Sequence, residues 1–114
     1  ANGGEIDGVR IVSPERIALM STIQTADVDR VLFMPMRKSI GFFNGGKMMG
    51  VNTVTGPREN AFGHSGAGGS TAFADPDAGL SIAVTINKML NSLQGEGPAS
   101  EICELIRNEL GVNG

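Results

Sequence analysis

The sequence predicts an α+β fold, an antiparallel sheet with a helix packed on it at the C-terminal end, and three observations carry that expectation. Leu80, Ile82, Val84 and Ile86 alternate with Ser81, Ala83, Thr85 and Asn87, the period of two of a strand with one face on a core. Asp75-Pro76-Asp77-Ala78-Gly79 is a dense turn signal just before that strand. Ile102, Leu105, Ile106 and Leu110 fall on one stripe of a helix expected over 99–110, and Gly111 follows where a C-terminal cap belongs.

The other elements follow in chain order. Asn2-Gly3-Gly4 and Asp7-Gly8 are turn chemistry, with Ile6, Val9, Ile11 and Val12 as a short apolar stretch around them. Ser13-Pro14-Glu15 gives an N-cap, a proline at the first helical position and an acid in the first turn, so a short helix is expected to about Thr22. Ile17, Met20 and Ile23 mark its inner face, and Glu15 and Arg16 its outer one. No period holds over 25–35, and Pro35 excludes a central strand, so a loop is expected. Residues 39–43 form a strand candidate that ends at Asn44-Gly45-Gly46. The polar, Gly- and Pro-interrupted stretch 47–60 is expected to be a surface loop. Residues 61–67 and 69–74 are two β candidates joined at Gly68, so three antiparallel strands should run in order to Ile86. Gly95, Gly97 and Pro98 break the pattern over 91–98.

Composition bounds the function. A chain of 114 residues holds one core at most. With 17 Gly, five Phe and neither Trp nor Tyr, that core must be aliphatic and methionine-rich. A net charge of −3 with dispersed Lys and Arg offers no basic stripe for phosphates, so nucleic acid is not an expected partner. Cys103 is alone, which excludes an intrachain disulfide, and no Cys/His cluster suggests a metal; no cofactor is expected. Cys103 itself reads as a small buried hydrophobe. The longest apolar stretch, 80–89, falls well short of the ~20 residues that span a bilayer, so no membrane span is expected. Nothing at the start resembles a charged-then-apolar signal.

The chemistry concentrates in Phe62-Gly63-His64-Ser65-Gly66-Ala67-Gly68-Gly69-Ser70. Gly63-His64-Ser65-Gly66-Ala67 approximates a G-x-S-x-G nucleophile elbow, but Ala67 stands at the last Gly and a strand-turn-strand pattern surrounds it instead of strand-to-helix. The only histidine, His64, is the serine's neighbour, and adjacent side chains of a strand point to opposite faces, which argues against a nucleophile–base pair. Gly66 to Gly69 lacks the Lys-Ser/Thr ending of a phosphate loop. Met34, Met36, Met48 and Met49 are more simply core fillers than the lining of an acyl pocket.

The second reading places His64-Ser65-Gly66 on a strand bordering an active site. That triplet resembles the third motif of serine β-lactamases, penicillin-binding proteins and related carboxylesterases, in the form where His-Ser-Gly replaces Lys-Thr-Gly. The following Gly-Gly-Ser, the Ala-Asp-Pro-Asp turn, the Val-Thr-Ile-Asn-Lys-Met strand end, the opening Asp7 to Glu15 and Ile40-Gly41-Phe42 are similar to the esterase-like branch. The resemblance implies that residues 1–114 are the C-terminal segment of a single β-lactamase-like domain.

It also implies roles. The backbone N–H of Ala67 would be an oxyanion donor, small Gly66, Ala67 and Gly68 would admit substrate close to the backbone, and Ser65 would offer its hydroxyl to substrate. His64 would adjust charge beside the catalytic base and, standing where the family has a permanent cation, would make that contribution pH-dependent. The family's nucleophile is the serine of Ser-x-x-Lys, and no serine here has Lys three residues later; its second motif supplies a tyrosine, and this chain has none. The resemblance therefore implies a serine hydrolase acting on esters or amides through an acyl-enzyme. The nucleophile would come from an N-terminal complement, as a second chain or a region outside this one. The alternative is a non-catalytic β-lactamase-like scaffold or assembly subunit.

Overall fold

Local turn chemistry sets the first elements. The computed structural model describes residues 1–90 and 97–113. β1 (Glu5–Ile6) and β2 (Val9–Arg10) form a hairpin whose two turn residues, Asp7 and Gly8, have φ 49° and 77°. Positive φ at both positions matches the right-handed twist of the flanking strands and is why Asp-Gly is favoured there. In α1 (Pro14–Ser21), Ser13 is the N-cap and its hydroxyl accepts from the Arg16 N–H at 3.3 Å. Ile17, Met20 and Ile23 are half-buried while Glu15 and Arg16 are exposed, so the expected inner face is the inner face.

The middle of the chain holds more structure than its sequence predicts. Residues 25–35, expected as loop, contain a hairpin of β3 (Val28–Asp29) and β4 (Met34–Pro35). Pro35 fits because the ladder has only two strands, so its missing N–H faces no second partner. The Asp29 carboxylate accepts from the Val31 and Leu32 N–H groups at 2.7 Å and pairs with the Lys38 ammonium. The strand expected over 39–43 is displaced: the Ser39 N–H donates to the Phe42 carbonyl and Gly41 has φ 80°, making a turn, and the strand is β5 (Phe43–Asn44). The surface loop expected over 47–60 contains β6 (Lys47–Met48) and β7 (Val51–Asn52), and its later part packs inward, with Thr55 only 2 % exposed.

The three-strand expectation holds. β8 (Phe62–Ser65), β9 (Thr71–Asp75) and β10 (Leu80–Val84) are antiparallel in sequence order, and β5 adds a fourth strand, giving β10-β9-β8-β5. Register places Gly63, Phe73 and Ile82 in one row across the sheet and His64, Ala72 and Ala83 in the next, so the two rows face opposite sides. The first side is the core: Phe73, Ile82 and Cys103 form its buried cluster, with Leu80, Val84 and Ile106 packed against it. On the other side Ala72, Ala74, Ser81 and Ala83, with Phe42 and Phe62, line a shallow depression of about 480 Å³.

The helix over that core is α2 (Pro98–Glu109). It ends as its sequence demands: Gly111 has φ 67°, its N–H donates to the Asn108 carbonyl, and the Val112 N–H donates to that of Arg107. That crossed pair is a Schellman cap. The expected apolar stripe is corrected. Ala99, Cys103 and Arg107 are the buried positions, whereas Ile102, Leu105 and Leu110 are exposed. Small side chains at 99 and 103 let the helix approach the sheet, and the Arg107 guanidinium lies 4.3 Å from the Phe73 ring centroid, a desolvated cation–π contact. Burial lowers the Arg107 pKa and raises that of the Cys103 thiol. The break expected over 91–98 falls mainly on residues outside those described. No described helix is long and apolar enough to cross a membrane.

Asp75 is fully buried at the end of β9, where one carboxylate oxygen accepts from Arg58 at 3.0 Å and the other from the Ala78 N–H at 3.1 Å. Asp75→Ala strands that guanidinium and uncaps the turn, so it is expected to lower the unfolding free energy of the intact protein by about 3 kcal/mol or more in denaturant titrations. A loss under about 1 kcal/mol would contradict the assignment.

A second expectation concerns acid. Hydrogen bonds from Lys38, Leu32 and Val31 lower the Asp29 pKa to about 2. A depressed folded-state pKa means a contribution present above the unfolded carboxylate range and lost as pH falls from about 4 through about 2. The stability difference between wild type and Asp29→Asn should therefore be present at neutral pH and close by pH ~2. A difference independent of pH would contradict it.

Candidate active site

The strand that carries the candidate residues is fixed by a glycine. Gly63 lies where β8 crosses β9 so closely that a Cβ there would stand 2.5 Å from both Cα and Cβ of Phe73. Only glycine permits that approach. β5 pairs with β8 opposite Phe62 and Gly63 only, so beyond them the outer edge of β8 has no partner strand among the described residues.

His64 and Ser65 sit at that edge and point apart. The exposed His64 ring stacks on Phe43, centroids 4.4 Å apart and planes 24° apart, and its Nδ1 is 2.9 Å from the Ser65 carbonyl. A carbonyl only accepts, so this contact puts the proton on Nδ1 and leaves Nε2 as the acceptor of the neutral ring. Ser65 is half-buried on the core side, its hydroxyl 3.1 Å from that of the buried Thr71 directly across the ladder. The structure therefore does not bring the two side chains together as a nucleophile and base.

The next residues make a three-residue hairpin loop. The Gly66 N–H donates to the Ser70 carbonyl at 2.8 Å, the Gly69 N–H returns to the Gly66 carbonyl at 3.0 Å, and Gly69 has φ 104°. This is a type I turn followed by a glycine in the positive-φ position of a bulge. In such a turn the N–H groups at the two central positions, Ala67 and Gly68, are left outside the ring of turn bonds. Among the described residues, the Ala67 N–H donates to no other backbone group. Ala67 and Gly66 are exposed and Gly68 is half-buried.

Residues that sequence reasoning missed complete the surroundings. Thr71 was legible in principle, because Ser65 and Thr71 are equidistant from Gly68 about which the strands fold. Ser70 accepts from the Ile86 N–H at 3.1 Å, and the Gly68 carbonyl accepts from the Leu90 N–H at 3.0 Å, tying the chain beyond β10 to the loop. Those contacts span 16 and 22 residues, and no local signal announces them. Among the described residues no three His, Cys, Asp or Glu side chains are grouped to hold a metal ion.

Comparison with known proteins gives the arrangement a context. No family model matches the chain. It is 37 % identical over 94 residues to a curated protein named "Esterase/beta-lactamase LipL" from Mycobacterium tuberculosis, an overlap of 82 % of this chain and 20 % of that one. A crystal structure of a family VIII carboxylesterase matches 96 % of the chain with TM-score 0.81 and 34 % identity, over 28 % of its own length. A penicillin-binding protein homolog from Caulobacter crescentus matches 89 % of the chain with TM-score 0.75 and 37 % identity, over 26 % of its own length. The chain thus spans about a quarter of the proteins it resembles, and in both sequence and fold it is similar to a part of the β-lactamase-like serine hydrolases, its α+β architecture matching the C-terminal portion of that fold.

Proposed function

We propose that this segment supplies one wall of an acyl-transfer site that hydrolyses esters or amides: the free edge of β8 and the backbone N–H of Ala67 as an oxyanion donor. The observation that carries the proposal is the hairpin loop, which leaves the Ala67 N–H outside its own hydrogen bonds, beside small residues and a strand edge with no partner strand among the described residues. An oxyanion needs a donor fixed before charge develops, and a backbone N–H locked in a type I turn costs no reorganisation when the reaction occurs. Gly66, where an added Cβ would meet only the Ser70 carbonyl at 3.7 Å, leaves the approach clear, and the exposed His64 stands on the same edge. Ser65 contributes by holding the strand end to Thr71 and would reach substrate only on exchanging that bond. The nucleophile and the proton-transfer groups come from a complement outside these residues.

Ala67 occupies the second position of the turn, where proline is well tolerated. Ala67→Pro in the full-length protein is therefore expected to leave the fold intact and to lower kcat about 100-fold or more by removing the donor. Ala67→Ser should stay within about threefold. Equal losses in the two variants would contradict the assignment.

The need for a complement rests on apolar surface. Among the described residues the buried hydrophobics are few, Ala61, Phe62, Phe73, Ile82, Ala99 and Cys103, while Ile102 and Leu105 of α2, its C-cap Leu110 and the alanine-lined face of the sheet stand open. Residues 1–114 expressed alone should melt broadly or aggregate, and co-expression with the remainder of the fold should restore a cooperative transition. A sharp two-state transition from the isolated monomer would contradict this.

A further inference from the structure

We propose that Met89 is a specificity-determining residue of this site, an apolar wall that selects substrates carrying an alkyl chain; the proposal rests on the acyl-transfer reading above. The ladder between β9 and β10 ends at Val84 opposite Thr71, and the chain then crosses the hairpin loop instead of continuing as strand. Two tethers fix the crossing, the Ile86 N–H on the Ser70 hydroxyl and the Leu90 N–H on the Gly68 carbonyl. Between them the Met89 side chain is laid along Gly68: a Cβ on that glycine would stand 3.4 Å from Met89 Cγ and 3.5 Å from its Cε. Beneath, Ile86 Cδ1 and Leu90 Cδ1 would lie 2.9 and 3.7 Å from a Cβ on Gly69.

Met89 is nonetheless 80 % exposed, so an unbranched apolar side chain is held at the surface one residue from the proposed oxyanion donor. Neighbouring Cα atoms are about 3.8 Å apart, so a carbonyl whose oxygen accepts from the Ala67 N–H has its substituents within reach of the thioether. Contact with a chain there buries apolar area on both partners. A thioether with three rotatable bonds adapts to chains of different length, favouring breadth over one exact fit. The contact could serve the acyl or the alcohol side of an ester, and the two are separable by experiment.

The test uses the full-length protein and two substrate series, p-nitrophenyl acetate, butanoate and octanoate for the acyl side and ethyl, butyl and octyl acetate for the alcohol side. In wild type and Met89→Leu, kcat/KM should rise with chain length in one series. In Met89→Ala the ratio of longest to shortest substrate in that series should fall about fivefold or more, with the shortest substrate within twofold of wild type. Unchanged ratios in both series would overturn the proposal. A parallel loss on short and long substrates would also overturn it, because Met89 would then support the turn rather than the substrate. Absence of turnover in the wild type would overturn the acyl-transfer reading and this proposal with it, whereas turnover with unchanged ratios overturns this proposal alone.

Discussion

The buried carboxylate of Asp75 is the point to which three parts of the chain are tied. Arg58 donates to it at 3.0 Å and with the same nitrogen reaches the Val112 carbonyl at 2.9 Å, beyond the end of α2. Arg107, 4 % exposed, donates to the Val54 carbonyl at 3.2 Å and lies across Phe73. The segment before β8, the turn after β9 and the last turn of α2 are thereby drawn together around two guanidinium groups and one carboxylate. Against an apolar alternative such an arrangement gains little net free energy; its effect is to fix one register among several that burial alone would allow. Gly56 shows how tightly it is built: its φ is 110° and a Cβ there would stand 2.6 Å from Arg107 Nη2.

That constraint explains where the sequence is legible and where it is not. The sheet from β8 to β10 is readable because period-two alternation and the Asp75 to Gly79 turn agree with each other. In α2 the extent and cap are readable but the phase is not. Hydrophobicity ranks Ile102, Leu105 and Leu110 as core and Arg107 as surface, whereas a partner ring, a carbonyl and a nearby carboxylate make Arg107 burial tolerable and the small residues at 99 and 103 decide the contact. The two-residue strands at 28–29, 34–35, 47–48 and 51–52 are too short to show any period. Turn conformation organises them, including positive φ at Phe33 and Met49, which sequence gives no reason to expect in such side chains.

The same division holds at the site. His64, Ser65 and the glycines around Ala67 stand out in sequence, and their arrangement follows from local rules: alternation separates His64 from Ser65, and a three-residue loop with glycine in the positive-φ position turns the Ala67 N–H outward. What is added by the chain after β10 is not local. The tethers to Ser70 and Gly68 connect segments whose proximity depends on the sheet being assembled. On the proposed reading, function lies in backbone geometry more than in side-chain identity, and the segment's part in an acyl-transfer site would be the Ala67 N–H and the outer edge of β8.

The most direct measurement of that claim is a crystal structure of the full-length protein after reaction with an alkyl phosphonate ester, whose covalent adduct mimics the tetrahedral intermediate. The account predicts a phosphonyl oxygen about 2.7–3.1 Å from the Ala67 nitrogen, aligned with its N–H. An adduct whose phosphonyl oxygen is held by other donors, with the Ala67 nitrogen more than about 4 Å away, would contradict it.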